Sequence, residues 1–173
     1  GAGEDIVLNV GRTARIIPRI SADVTNVLWT PSAGIVSNIY PGVEIKPTST
    51  TDYVVTVKNP GGCMAADQVR VQVLCNNANV FIPNTFSPNG DGSNEIFYPR
   101  GTGLFRIKSA RVFNRWGEVV FEKNNFKAND AGSGWDGKYK GTTLNPDVFV
   151  YVFEIICENN ETIVYKGDVA LIR

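Results

Sequence analysis

The sequence contains no histidine. Its absence removes the commonest general base, the Ser-His and Cys-His pairs and most catalytic zinc sites, which argues against a hydrolase. An excess of either charge is missing too, with 17 Lys plus Arg against 17 Asp plus Glu in 173 residues. Neither nucleic acid nor an anionic membrane is therefore an expected partner. No apolar run approaches the roughly 20 residues that a membrane helix needs. The Gly1-Ala2-Gly3 start has no basic stretch leading into an apolar one, so it reads as a cloning remnant, with any cleaved leader lying upstream. Cysteine is scarce: Cys63, Cys75 and Cys157 match no Cys-x-x-Cys spacing, so at most one pair can bridge. Position favours Cys75 with Cys157, one where a second domain begins and the other late in it. Three unpaired or differently paired cysteines remain the alternative, because connectivity is not written in a sequence.

A convincing helical stripe is also lacking. What the chain has instead is short runs rich in Val, Ile, Thr, Tyr and Phe, separated by Gly, Pro, Asn and Asp clusters, which predicts an all-β protein. Strands are expected at 5–10, 13–18, 26–30, 42–46, 52–58 and 67–74, then at 79–83, 96–99, 104–114, 118–123, 135–139, 148–157 and 161–172. The composition turns polar at Cys75-Asn76-Asn77-Ala78-Asn79, which places a boundary there. The expectation is two tandem antiparallel β-sandwich (Ig-like) domains, 1–75 and 76–173. The run 148–157 is apolar on both of its alternating faces, so it is expected to be a central strand.

In the first half Trp29 and Tyr53 stand where the core tryptophan and the tyrosine corner of an immunoglobulin sandwich stand, and Val55 takes the place of the second cysteine. The strings Trp29-Thr30-Pro31-Ser32-Ala33-Gly34, Pro47 to Val57, Gly61-Gly62-Cys63 and Asp67-Gln68-Val69 resemble the PKD-like and Ig-like repeats of long bacterial surface proteins. The resemblance implies a spacer or an adhesive module, and a stalk unit is the plainer of the two, since no aromatic or charged cluster marks a loop.

The second half carries Phe81 to Glu95 with its Ser87-Pro88-Asn89-Gly90-Asp91-Gly92 core, then Val112-Phe113-Asn114-Arg115-Trp116-Gly117-Glu118-Val119-Val120-Phe121. It continues with Gly134-Trp135-Asp136-Gly137-Lys138-Tyr139-Lys140-Gly141, Val148 to Val152, and Lys166 to Arg173. Together these resemble the gliding-motility-associated C-terminal domain, the type B secretion signal of the type IX system of Bacteroidetes. Departures fall at Asn145-Pro146-Asp147, where glycine is commoner, and at Glu95, where aspartate is. The resemblance implies cargo exported through the periplasm to the cell surface or secreted, often a gliding adhesin. It also implies a partner protein of the outer membrane and the type IX translocon; no nucleic acid, no small-molecule substrate and no cofactor other than calcium is expected.

Read from the residues alone, Asn89-Gly90 and Asp91-Gly92 predict a tight double turn, and Asp136-Gly137 a hairpin turn. Trp116 and Trp135, with Phe81, Phe86, Phe97, Phe113 and Phe121, are expected in the core. The calcium-loop template laid on Ser87 finds Asn89, Asp91 and Glu95 at ligand places, with Asn94 a further oxygen, but puts Tyr98 where the bidentate glutamate belongs. A structural turn is the favoured reading there over calcium. For recognition by the export machinery two places compete. One is the last strand, where Lys166, Gly167, Asp168 and Arg173 offer polar handles while Val169, Leu171 and Ile172 pack or augment a partner sheet. The other is the turn at Arg115 and Trp116. A carbohydrate-binding module would instead put Trp116 or Trp135 on the surface beside polar side chains. A glycosidase would need a carboxylate pair from among Asp91, Glu95, Glu118 and Asp136, each of which sits in or beside a turn.

Overall fold

The computed structural model describes residues 1–173 and divides into two compact units, Gly1–Cys75 and Asn76–Arg173. All long elements are strands, as the alternation of β-branched and polar residues requires. In the first unit these are β1 (Ile6–Asn9), β2 (Ala14–Ile16), β3 (Asn26–Thr30), β4 (Ile35–Ile39), β5 (Gly42–Ile45), β6 (Thr51–Lys58) and β7 (Met64–Leu74). One sheet has the order β1-β7-β6-β3, the other β2-β5-β4. Trp29, Tyr53, Val55, Val69, Val71 and Ile45 are buried in one core. The two polar atoms this brings inside are satisfied: Trp29 Nε1 donates to Pro41 O at 3.0 Å and Tyr53 Oη to Ala33 O at 2.8 Å. Strand β4 is absent from the sequence reading. Only its two ends are apolar and partly covered, and Val36, Ser37 and Asn38 are exposed, so it shows no period.

The second unit contains β8 (Val80–Phe81), β9 (Thr85–Phe86), β10 (Arg100–Gly101), β11 (Leu104–Phe113), β12 (Val119–Lys127), β13 (Lys138–Tyr139), β14 (Thr142–Thr143), β15 (Asp147–Cys157) and β16 (Thr162–Leu171). Its main sheet has the order β12-β11-β15-β16-β9, which makes β15 an interior strand. The pairs β8 with β10 and β13 with β14 are small separate ribbons. Pairing is antiparallel except for two parallel contacts, β1 with β7 and β16 with β9. The stretch expected as a strand at 96–99 makes only an isolated bridge, Phe97 to Trp135. Strands β9, β10 and β14, two residues each, are too short to leave a periodic signal.

The inner face of the main sheet is aromatic. Trp135 packs on Phe86 at 5.2 Å and edge-on to Phe149 at 4.9 Å between ring centroids, and Phe97 lies 5.5 Å from Phe153. Trp135 Nε1 donates to Lys138 O at 2.9 Å. The opposite face of β15 is apolar in sequence but only partly covered: Val148 and Val150 are exposed, while Val152 and Ile156 are half-buried. A central strand need not be buried on both faces when the second face has no layer above it.

Candidate functional site

Turn chemistry shapes the surface of the second unit. Between β13 and β14 the chain reverses at Lys140 and Gly141, with φ of 49° and 79°. These two positive φ values make the two-residue hairpin turn, so the hairpin expected at Asp136-Gly137 lies four residues further on. Asp136 instead accepts from Lys138 N, and Gly137, at φ 75°, sits where a β-carbon would come within 2.7 Å of Leu171 Cδ1.

The double turn after Phe86 is closed on itself. Gly90 and Gly92 take φ of 84° and 86°. Asn89 Oδ1 accepts from Asp91 N, Asp91 Oδ1 from Ser93 N, and Glu95 Oε1 from Gly92 N. Asn94, at φ 54°, accepts from Ser87 N through its carbonyl. The side-chain oxygens of Asn89, Asp91 and Glu95 thus bond the loop's own amides, and no group of three His, Cys, Asp or Glu gathers anywhere in the chain.

The turn between β11 and β12 is built differently. Asn114 Oδ1 accepts from both Trp116 N and Glu118 N at 3.0 Å, Gly117 N reaches Asn114 O at 2.9 Å, and Asn114 Nδ2 donates to Glu118 Oε2 at 3.0 Å. Glu118 Oε1 accepts from Tyr139 Oη at 2.8 Å, which ties the turn to the β13 ribbon. Arg115 is ion-paired and hydrogen-bonded to Asp147 at the start of β15. That partner raises the guanidinium's affinity for its proton and holds the Asp147 carboxyl below its ordinary 3.8. Trp116 stands out from this frame 80% exposed, with the Arg115 guanidinium 5.6 Å from its ring centroid.

The expectation of a core Trp116 is therefore corrected: a tight hairpin tip has no second layer to receive a side chain, so the ring stays in water. Phe81 is corrected likewise, 59% exposed under the Arg100 guanidinium at 5.2 Å. Phe113 and Phe121 are half-buried, while Phe86 and Phe97 are core.

The register brings the two competing recognition places together. Phe113 pairs with both Val119 and Val150, and Asp147 pairs with Leu171. The Trp116 turn and the end of β16 therefore occupy the same end of the sheet. There Leu171 is buried, Ile172 is half-exposed, and the Arg173 guanidinium donates to Pro88 O at 3.1 Å and to Leu144 O at 3.0 Å. Val169 is buried in the unit's own core rather than offered to a partner. Lys166 and Asp168 are exposed further back along the strand with Gly167 between them. A pinned turn presenting one large aromatic ring can anchor a partner with less loss of freedom than a mobile loop, since the turn's backbone is already fixed.

The other carboxylates considered for catalysis are each engaged locally, Asp136 by an ion pair with Lys138 at 3.0 Å. Cys157 is buried, and both it and Cys75 are disulfide-bonded, while Cys63 is a free, exposed thiol.

Comparison with known proteins gives a family match over residues 80–171, just over half of the chain, to the CHU_C type IX secretion signal domain. No curated protein matches. Among solved structures the chain is similar to the titin domains z1z2 in complex with telethonin, at 13% identity and a TM-score of 0.38, covering 98% of this chain and 91% of that one. It is similar as well to the Bacteroides ovatus SGBP-B of a mixed-linkage glucan utilization locus, at 18% identity, TM-score 0.29, and 96% and 43% coverage. Latent PorU from Porphyromonas gingivalis follows at 11%, 0.35, 97% and 19%.

Proposed function

The chain belongs to the CHU_C type IX secretion signal domain family, and from that premise we propose that the export machinery reads its second unit at the sheet end that carries Trp116. A type IX secretion signal directs its protein to the cell surface or out of the cell, and it does so by interacting with secretion machinery. In our reading the component that engages it is an outer-membrane partner protein, and the cargo is a gliding adhesin of a Bacteroidetes cell. The first unit is a stalk repeat of that cargo. The chain itself is non-catalytic, since its turn carboxylates are used as acceptors for neighbouring amides, hydroxyls and cations. The observation that carries the recognition site is the exposure of Trp116 on a turn fixed by five hydrogen bonds around Asn114.

The test is export of a fluorescent protein fused ahead of the whole chain in a gliding bacterium. The wild-type fusion reaches the surface or the medium. Trp116→Ala keeps its thermal midpoint, because an exposed ring contributes within about 0.5 kcal/mol, but accumulates in the periplasm. Wild-type retention would sink the secretion reading; normal export of Trp116→Ala would remove the site while leaving the reading.

One observation also favours a second reading. Trp116 stands beside Arg115, Asn114 and Glu118, the setting expected of a sugar-stacking ring. Quenching of its fluorescence by an oligosaccharide, abolished in Trp116→Ala, would bring the adhesive module forward.

A further inference from the structure

Strand β16 bonds to β15 through its odd-numbered residues. Leu171 pairs with Asp147 and Val169 with Phe149, and beyond the strand's start Cys157 N donates to Glu161 O. Its even-numbered residues face the other way: Ala170 N donates to Asn84 O and Ile172 N to Phe86 O, both toward β9. The ladder runs from Thr162 to Leu171 without a register shift. The N–H and C=O groups of Thr162, Val164, Lys166 and Asp168 therefore all point away from β15. Strand β9 pairs only with Ala170 and Leu171, and no other strand lies beside β16 on that side. All four side chains are exposed, Val164 to 59%. The open stretch from Thr162 to Asp168 is about 23 Å long at roughly 3.3 Å per residue, the length of an ordinary strand.

We propose that this open edge takes one extended strand of the export machinery, antiparallel to β16. Each of its residues lies directly opposite one of the edge residues: a basic one faces Asp168, an acidic one faces Lys166 and an apolar one faces Val164. The inference rests on the secretion-signal reading and adds the mode of binding to it. Backbone groups supply affinity along such an edge, and the charges choose the occupant.

A second copy of this chain does not fit. Matching Lys166 to Asp168 in both directions sets Val164 of the copy opposite Ala170, whose outward N–H is already given to Asn84. Sliding the copy clear of β9 centres the pair on Tyr165 and sets Lys166 against Val164, with no charge matched. Lys166 and Asp168 thus guard the edge against its own kind while admitting a complementary strand.

The discriminating variant is Lys166→Pro. It deletes one N–H aimed at the open edge and leaves the β15 ladder intact, because Tyr165 and Gly167 carry that ladder, and an edge strand tolerates proline when its N–H faces outward. The full-chain fusion carrying Lys166→Pro is expected to fold and to lose export by about tenfold or more, as one missing link interrupts the added strand. Wild-type-like export of Lys166→Pro, beside an exported wild type, overturns the proposal and leaves the secretion reading standing; an unexported wild type sinks that reading itself. Should Lys166→Pro fail to fold, a peptide probe decides. The heptapeptide Lys-Thr-Glu-Thr-Val-Thr-Thr should shift and protect the amides of Thr162, Val164, Lys166 and Asp168, and its charge-swapped counterpart Glu-Thr-Lys-Thr-Val-Thr-Thr should not. Shifts elsewhere, or equal shifts with both peptides, overturn it.

Discussion

Asp147 joins three things at once: it opens β15, takes the Arg115 guanidinium and accepts from its own Val148 N–H at 2.8 Å. The first and largest influence on its carboxyl is the bond from Arg115, followed by that from Val148, and both hold it below 3.8. Glu154 is lowered in the same sense by Lys108, and Asp130 by the Ser133 hydroxyl. A carboxyl depressed in the folded state binds its proton less readily than the unfolded chain does. Its contribution is therefore complete above the unfolded value and lost as pH falls through the folded one. Urea midpoints of the wild type should be level from about pH 7 to pH 5 and decline below about pH 4. Asp147→Asn should flatten part of that decline, and an unchanged acid slope would show that the Arg115 bond does not persist in solution. Trp116 and Trp135 show how little a residue type decides alone. Each is followed within two residues by a glycine at positive φ, yet one is in water and the other sits in an aromatic core with its indole N–H bonded to Lys138 O.

Among the elements, β15 and β16 form the longest ladder of the second unit, and Gly167 is the point where it narrows. A β-carbon there would lie 2.7 Å from Tyr151 Oη and 3.0 Å from Cζ of the same ring, which crosses over from β15. Gly167→Val is accordingly expected to cost about 1–3 kcal/mol, as overpacking does, read as a lowered urea midpoint. Pairing it with Tyr151→Ala should cost less than the two changes added together, because the second removes the obstacle to the first. Additive losses would mean that the glycine is required by the backbone and not by the ring. The same strand pair explains why the residues of the proposed recognition places were legible and their arrangement was not. Lys166, Asp168 and the Arg115-Trp116 turn stand out as polar or aromatic interruptions of apolar runs. The register that puts the turn beside Leu171, and β9 across the last residues of β16, is set by partners far away in sequence.

For the molecule as a whole, oxidation state gives a direct check. Cys63 should alkylate without reductant, whereas Cys75 and Cys157 should react only after reduction, as peptide mapping can show. Labelling of Cys157 before reduction would mean that the disulfide is absent in solution. The sequence by itself determined the all-β class, the interior place of β15, the core tryptophan and tyrosine of the first unit and the family of the second. These follow from local alternation, turn residues and ordered motifs, which are properties of neighbours along the chain. Only the tertiary structure decided that Trp116 is in water, that the outer face of β15 is uncovered at Val148 and Val150, and which edge of β16 is open. Each of those depends on whether a second layer or a neighbouring strand arrives at that place, and long-range pairing, not local pattern, brings it there or leaves it away.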